Sequence, residues 1–177
     1  MTVITAGTIP ASPDGLCPSF GFSVRPIAAT DAASLLRFHA RLSPRSIHLR
    51  YFYPHLEFTS AEVTHLTCVD GINRAAFVVE HDGEIIAVGR YDRLEDPCSA
   101  EVAFVVADEF QDRGLGTMLF ERLTERARRV GIGELKASVL AENSTMLAVF
   151  HGAGFPMTQT RTYDVIELTM KIGPRCL

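Results

Sequence analysis

The run from Ala100 to Thr117 constrains this chain more than any other. Ala100-Glu101-Val102-Ala103-Phe104-Val105-Val106-Ala107 reads as a strand, and Gln111-Asp112-Arg113-Gly114-Leu115-Gly116-Thr117 turns into an amphipathic helix. The nearly continuous apolar character of the first part fits a strand covered on both faces. Gly114 and Gly116 let the backbone pass close to a ligand, and the helix that follows directs unpaired N–H groups and a positive dipole end at an anion. The stretch therefore predicts a diphosphate-type site. A P-loop would need four residues between its glycines and a Lys-Ser/Thr pair after them, whereas one residue separates these two and Thr117-Met118 follows. A dinucleotide fingerprint would need a third glycine where Leu119 stands.

The rest of the composition narrows the class. With 177 residues, 47% of them hydrophobic, the chain builds one proper core, and one domain over residues 21–172 is expected. Residues 1–20, rich in small polar residues, glycine and proline, read as a flexible tail, and 173–177 as a short C-terminal one. A net charge of −4 argues against a nucleic-acid surface. The one arginine-rich face, Arg122, Arg126, Arg128 and Arg129, is interleaved with Glu121 and Glu125 at helical spacing and reads as solvated. Cys17, Cys68, Cys98 and Cys176 form no Cys-x-x-Cys pair, so four reduced thiols are expected and zinc is not signalled. No apolar run spans a bilayer and no leader pattern opens the chain, so a cytoplasmic protein without a membrane partner is expected.

Along the chain, Phe22, Val24 and Ile27 mark a short strand, and Thr30 or Asp31 caps a helix carrying Leu35, Leu36, Phe38, His39 and Leu42. Pro44 suits the first turn of a second helix, stopped by Pro54, and Thr59-Ser60-Ala61-Glu62 opens a third as a capping box. Ala75–Glu80 and Glu84–Tyr91 flank His81-Asp82-Gly83 as a hairpin. Leu115, Met118, Leu119, Leu123, Ala127 and Val130 trace one helical face before Gly131. Leu135–Leu140 is then a strand parallel to the one holding Glu101, because a helix connects them. Asn143 caps a last helix with Met146, Leu147, Phe150 and Ala153 inward, and Thr158–Thr162 with Val165–Ile172 form an antiparallel pair. This order predicts a mixed α/β sheet with a crevice beyond the carboxyl ends of two parallel strands, where ligands of such sheets bind.

Glu101 is the one ionisable residue among the eight from Ala100 to Ala107. Alternation places Glu101, Ala103 and Val105 on one face and Val102, Phe104 and Val106 on the other. Desolvation there would raise its pKa from about 4.3 toward neutrality and make it a general base, although a structural or solvent-facing role fits the same position. The histidines support neither a metal site nor a triad, since no His-x-x-x-His or Gly-x-Ser-x-Gly occurs. Tyr51, Tyr53 and Tyr163 suit a substrate mouth without forming a motif.

Gln111-x-x-Gly114-x-Gly116, directly after a strand and opening a helix, resembles the acetyl-CoA signature of the Gcn5-related N-acetyltransferases (GNAT). The resemblance implies their fold, a mostly antiparallel twisted sheet with a splayed parallel pair flanked by helices. By position it implies that Phe104, Val105 and Val106 hold the pantetheine arm, that Gln111, Asp112, Arg113, Gly114, Leu115, Gly116 and Thr117 form the diphosphate turn, and that Asn143 touches the pantetheine. A surface role for Arg113 and a plain N-cap role for Asn143 stay open. Ala100-Glu101-Val102-x-Phe104 resembles the base strand of histone-type members, which implies that Glu101 acts on an amine through water. Where many members carry a tyrosine that protonates the leaving thiolate, Phe150 stands, ahead of Gly154-Phe155.

Leu42-Ser43-Pro44-Arg45-Ser46, Leu49-Arg50-Tyr51-Phe52 and Val69-Asp70 are similar to the acetyltransferase domain of bacterial protein-lysine acetyltransferases that modify acyl-CoA synthetases. This implies acetyl transfer from acetyl-CoA to a protein lysine, without a metal. A small-amine acetyltransferase and a catalytically silent acyl-CoA sensor remain as alternatives, the first requiring an enclosed pocket and the second making Glu101 dispensable. The exposed edge of the C-terminal hairpin would allow a homodimer.

Overall fold

The computed structural model describes residues 16–17, 21–54 and 57–174. Eight strands form a single sheet: β1 (Leu16–Cys17), β2 (Phe22–Pro26), β3 (Arg74–His81), β4 (Glu84–Arg93), β5 (Ser99–Val106), β6 (Glu134–Leu140), β7 (Met157–Thr162) and β8 (Val165–Lys171). Their spatial order is β1-β2-β3-β4-β5-β6-β8-β7. Every neighbouring pair is antiparallel except β5 and β6, which run parallel. Among the described residues the α-helices are α1 (Ala32–Ala40), α2 (Pro44–Tyr51), α3 (Ser60–Thr67), α4 (Leu115–Arg129) and α5 (Ser144–Gly152). This is the mixed α/β sheet with a parallel pair that the element order predicts. Apart from Leu16–Cys17, which pair with Phe22–Ser23, the expected N-terminal tail lies outside the described residues, as do residues 175–177.

Local chemistry explains the element ends. The Ser43 hydroxyl caps α2 by accepting from the Ser46 N–H at 3.1 Å, with Pro44 in the first turn. Thr59 and Glu62 form the expected capping box on α3. Asp31 behaves differently from a helix cap. Its carboxylate accepts two bonds from Arg25, at 2.7 and 2.8 Å, and one from the Ala28 N–H, pinning β2 to the start of α1. The Arg25 guanidinium holds that carboxyl below its ordinary range. Cys98 is disulfide-bonded, which corrects the expectation of four reduced thiols, and Cys68 is free and exposed.

The two sheet faces are covered unequally. On one, Leu115, Leu119, Phe120, Leu123 and Ala127 of α4 and Phe150 of α5 pack on Val102 and Phe104 of β5, on Leu135 and Ala137 of β6, and on Leu168 and Met170 of β8. Burying each large side chain contributes roughly 1.5–3 kcal/mol. On the other face, Leu35, Phe38 and Leu42 of the α1 segment pack on Val78 and Val88, with Val105 beside them. That layer covers only the β3–β5 half. The same face of β6, β8 and β7 presents Lys136, Ser138, Thr169, Glu167, Thr158 and Thr160, all half-buried or exposed.

Candidate functional site

The parallel pairing of β5 and β6 stops almost as soon as it begins. Ser99 pairs with Glu134, Ala100 with Leu135 and Glu101 with Lys136, and no later residue of β5 meets β6. Beyond that point β5 continues along β4 as far as Val106, and β6 along β8 as far as Leu140. The strands therefore diverge into a cleft of about 510 Å³, lined by Glu101 to Phe104, Ala137 to Val139, Asn143, Met146 and Phe150, and walled by Leu49 to Tyr53. Toward the glycine turn it meets a second cavity of about 150 Å³, which Phe104, Val105, Val106, Gln111 and Asn143 line with Arg45 and Ser46. The inward main-chain edges of the two strands are left for a ligand in extended conformation to pair with.

At the open end, Asp112 and Gly114 adopt left-handed backbone, with φ of 58° and 78°. Gly114 is the N-cap of α4 and offers no side-chain bond to it. The N–H groups of residues 113–117 donate to nothing among the described residues. Leu115 is buried under the sheet, while Gly116 and Thr117 lie on the accessible side of the first turn. These free donors and the helix dipole make an anion cradle. Arg113 is exposed, lies 5.1 Å over the Phe110 ring, and donates to the Glu109 carbonyl at 3.0 Å. Gln111 points away from the cradle. Its amide donates to Ser46 Oγ at 3.0 Å and to the Val106 carbonyl at 3.2 Å, so it fastens the turn to β5 and α2. Asp108 strengthens that tie by accepting from the Ser43 N–H and from the hydroxyls of Ser43 and Ser46. Burial pushes the Asp108 carboxyl up, but these bonds outweigh it and the net shift is downward.

At the closed end, the expected desolvation of Glu101 does not occur, because its side chain is exposed. The apolar run around it is real, but the strand's divergence opens this position to the cleft. Glu101 makes no hydrogen bond or ion pair among the described residues, which leaves its carboxylate available. Its β4 neighbour Asp92 is engaged by Arg90, at 2.8 and 3.1 Å, and lies 3.3 Å from His65. Arg50 faces the cleft from α2, half-buried and 4.9 Å over the Tyr51 ring. Burial pushes its guanidinium down and the Tyr51 hydroxyl up.

Tyr53, 56% exposed, and Phe52, 36% exposed, form the rim, whereas Tyr163 is 91% exposed at the β7–β8 turn and is not among the cleft-lining residues. The Asn143 side chain accepts from the Met146 N–H at 3.1 Å, so it caps α5 while also lining the cleft. Phe150 is 2% exposed and edge-on to Phe120 at 5.2 Å, a packing residue whose edge reaches the cleft. Ser138 is a cleft residue that no motif pointed to, alternation along β6 being its only signal, and Arg50 lay in the Leu49-Arg50-Tyr51-Phe52 run without an assigned role. Among the described residues no group of three His, Cys, Asp or Glu side chains converges to hold a metal, and no helix is long and apolar enough to cross a membrane.

Residues 42–155 match the model of the acetyltransferase (GNAT) family. An acetyltransferase of Pseudomonas aeruginosa is 32% identical over 136 residues, covering 75% of this chain and 73% of that protein. The crystal structure of the GNAT domain of S. lividans PAT superposes with a TM-score of 0.79 at 33% identity, over 85% of this chain and 90% of that one. YncA from Salmonella typhimurium, solved with its cofactor acetyl-CoA, shares the fold with a TM-score of 0.73 at 19% identity, over 89% of this chain and 97% of that one.

Proposed function

Because the chain belongs to the GNAT acetyltransferase family, we propose that it transfers an acetyl group from acetyl-CoA to a protein lysine by direct attack within a ternary complex. One observation carries the reading: the cleft between β5 and β6 has free main-chain N–H donors at one end and the unpartnered Glu101 at the other. The diphosphate rests on residues 112–117, with Gln111 holding the turn from behind. The pantetheine pairs with the main chain of Phe104, Val105 and Val106, with Asn143 across from it, and the thioester comes to lie toward Glu101.

A lysine amine, with an ordinary pKa near 10.4, arrives protonated. Glu101 accepts that proton through water, the amine nitrogen bonds to the thioester carbon, and the C–S bond breaks as the amide forms. Phe150 has no proton to give, so the second proton, lost from nitrogen as the amide forms, passes through water to the coenzyme A thiolate. Glu101 is exposed, and the donor and acceptor desolvate it as they cover it.

The protein acceptor is favoured over a small amine because exposed Phe52 and Tyr53 rim the cleft and the neighbouring cavity among α1, α2 and β5 holds only about 30 Å³. An acyl-CoA synthetase is the acceptor to try first. Incubation of cell proteins with the enzyme and labelled acetyl-CoA, read by mass spectrometry, should place label on lysines of such a protein. Label only on free small amines would move the acceptor to that class, and binding of acetyl-CoA without turnover on any amine would make the protein a sensor.

A further inference from the structure

Of the 17 Lys and Arg residues in the sequence only two are lysines, Lys136 and Lys171, the other 15 being arginines. Lys136 is the direct in-register partner of Glu101, in the last paired position before the parallel strands part. Directly paired residues point to the same side of a sheet, so the Lys136 and Glu101 side chains leave the sheet on the same side. Its ammonium makes no ion pair or hydrogen bond among the described residues. Lys136 is half-buried. Adjacent strands lie about 4.8 Å apart and a lysine side chain reaches about 6 Å from its Cα, so the amine can swing over Glu101 to the closed end of the cleft. Lys171, on β8, lies on the same face, since its register partner Glu134 is two residues from Lys136, but it has a strand between it and Glu101.

We propose that Lys136 is a self-acetylation site: the chain modifies, in cis, the lysine paired with Glu101. The proposal rests on the proposed function, because it uses the same donor and the same base. Glu101 takes one proton from the Lys136 ammonium, Nζ bonds to the acetyl carbon, the C–S bond breaks, and the second proton lost from Nζ passes through water to the departing coenzyme A thiolate. The product is an amide that removes the positive charge beside Glu101 and fills the closed end of the cleft, so the acetylated chain turns over external lysines more slowly.

The test incubates the full chain with isotopically labelled acetyl-CoA, alone and with an added lysine peptide, and follows each lysine by mass spectrometry. Wild type is compared with Glu101→Gln and Lys136→Arg. Label should enter Lys136 with a first-order rate constant unchanged on tenfold dilution of the protein, at least tenfold faster than Lys171. The rate should fall about 100-fold or more in Glu101→Gln, and the label should vanish from this site in Lys136→Arg while peptide turnover persists. Equal labelling of Lys136 in wild type and Glu101→Gln, or equal labelling of both lysines, would mean solution chemistry and would overturn the proposal. Peptide acetylation with Lys136 unlabelled overturns it while leaving the proposed function standing. Labelling of neither peptide nor Lys136 removes both.

Discussion

The two ends of the cleft are built from different materials. The anion end is main chain from one continuous segment, residues 113–117, whose donors are free because α4 begins there on a left-handed glycine. The proposed amine end is side chain drawn from two segments: Glu101 on β5 and Leu49 to Tyr53 around the end of α2. The anion end depends on backbone shape and tolerates many side-chain changes. The amine end depends on particular side-chain groups and on how far two strands diverge.

The comparison is broken most sharply at Glu101. Glu101→Gln should lower turnover by about 100-fold or more while acetyl-CoA affinity, measured by calorimetry, stays within about twofold. Unchanged turnover would remove the base assignment and leave the two ends functionally alike. Next comes the hinge between them, Gly89 on β4, opposite Phe104. A Cβ there would sit 2.8 Å from Phe104 Cδ1 and 3.1 Å from Leu119 Cβ, so Gly89→Ala should cost about 1–3 kcal/mol in urea unfolding and disturb both ends by displacing Phe104.

Gly114→Val sharpens the contrast from the anion side. Holding a residue with Cβ in left-handed backbone costs roughly 1–2 kcal/mol, so the KM for acetyl-CoA should rise about tenfold with the amine KM nearly unchanged. A parallel rise in both would show that the ends are not independent.

The smallest effect concerns the tie between them. Asp108→Ala, which frees Ser43 and Ser46, should cost about 1 kcal/mol of stability. Because the folded carboxyl lies below its unfolded value of about 3.9, its contribution is present above that pH and is lost as pH falls through the lower folded value. Acid unfolding curves of wild type and Asp108→Ala should therefore converge below pH ~4, and curves that stay parallel there would remove Asp108 from the tie.

Much of this was legible in advance because local chemistry decided it. The Ser43-Pro44 and Thr59-to-Glu62 signals gave helix starts, Asp82-Gly83 gave the hairpin, and Gly114 gave the turn, each through contacts within a few residues. Asp31 misled because its short-range capping geometry competes with a bidentate Arg25 lying on another element. Glu101 misled in a different way. Its apolar sequence neighbours are indeed buried, but sequence neighbours on a strand say little about the strand across the gap, and here that strand turns away.

Periodicity, capping and short-range backbone conformation fix the set of elements, their order, the parallel relation of β5 and β6, and the glycine turn. That the parallel pairing ends at Glu101 and Lys136, and that α2 walls the cleft with Arg50 while Tyr53 rims it, follows from long-range packing alone. Those features depend on where distant segments pack and on how a twisted sheet diverges, and no local pattern of residues encodes that.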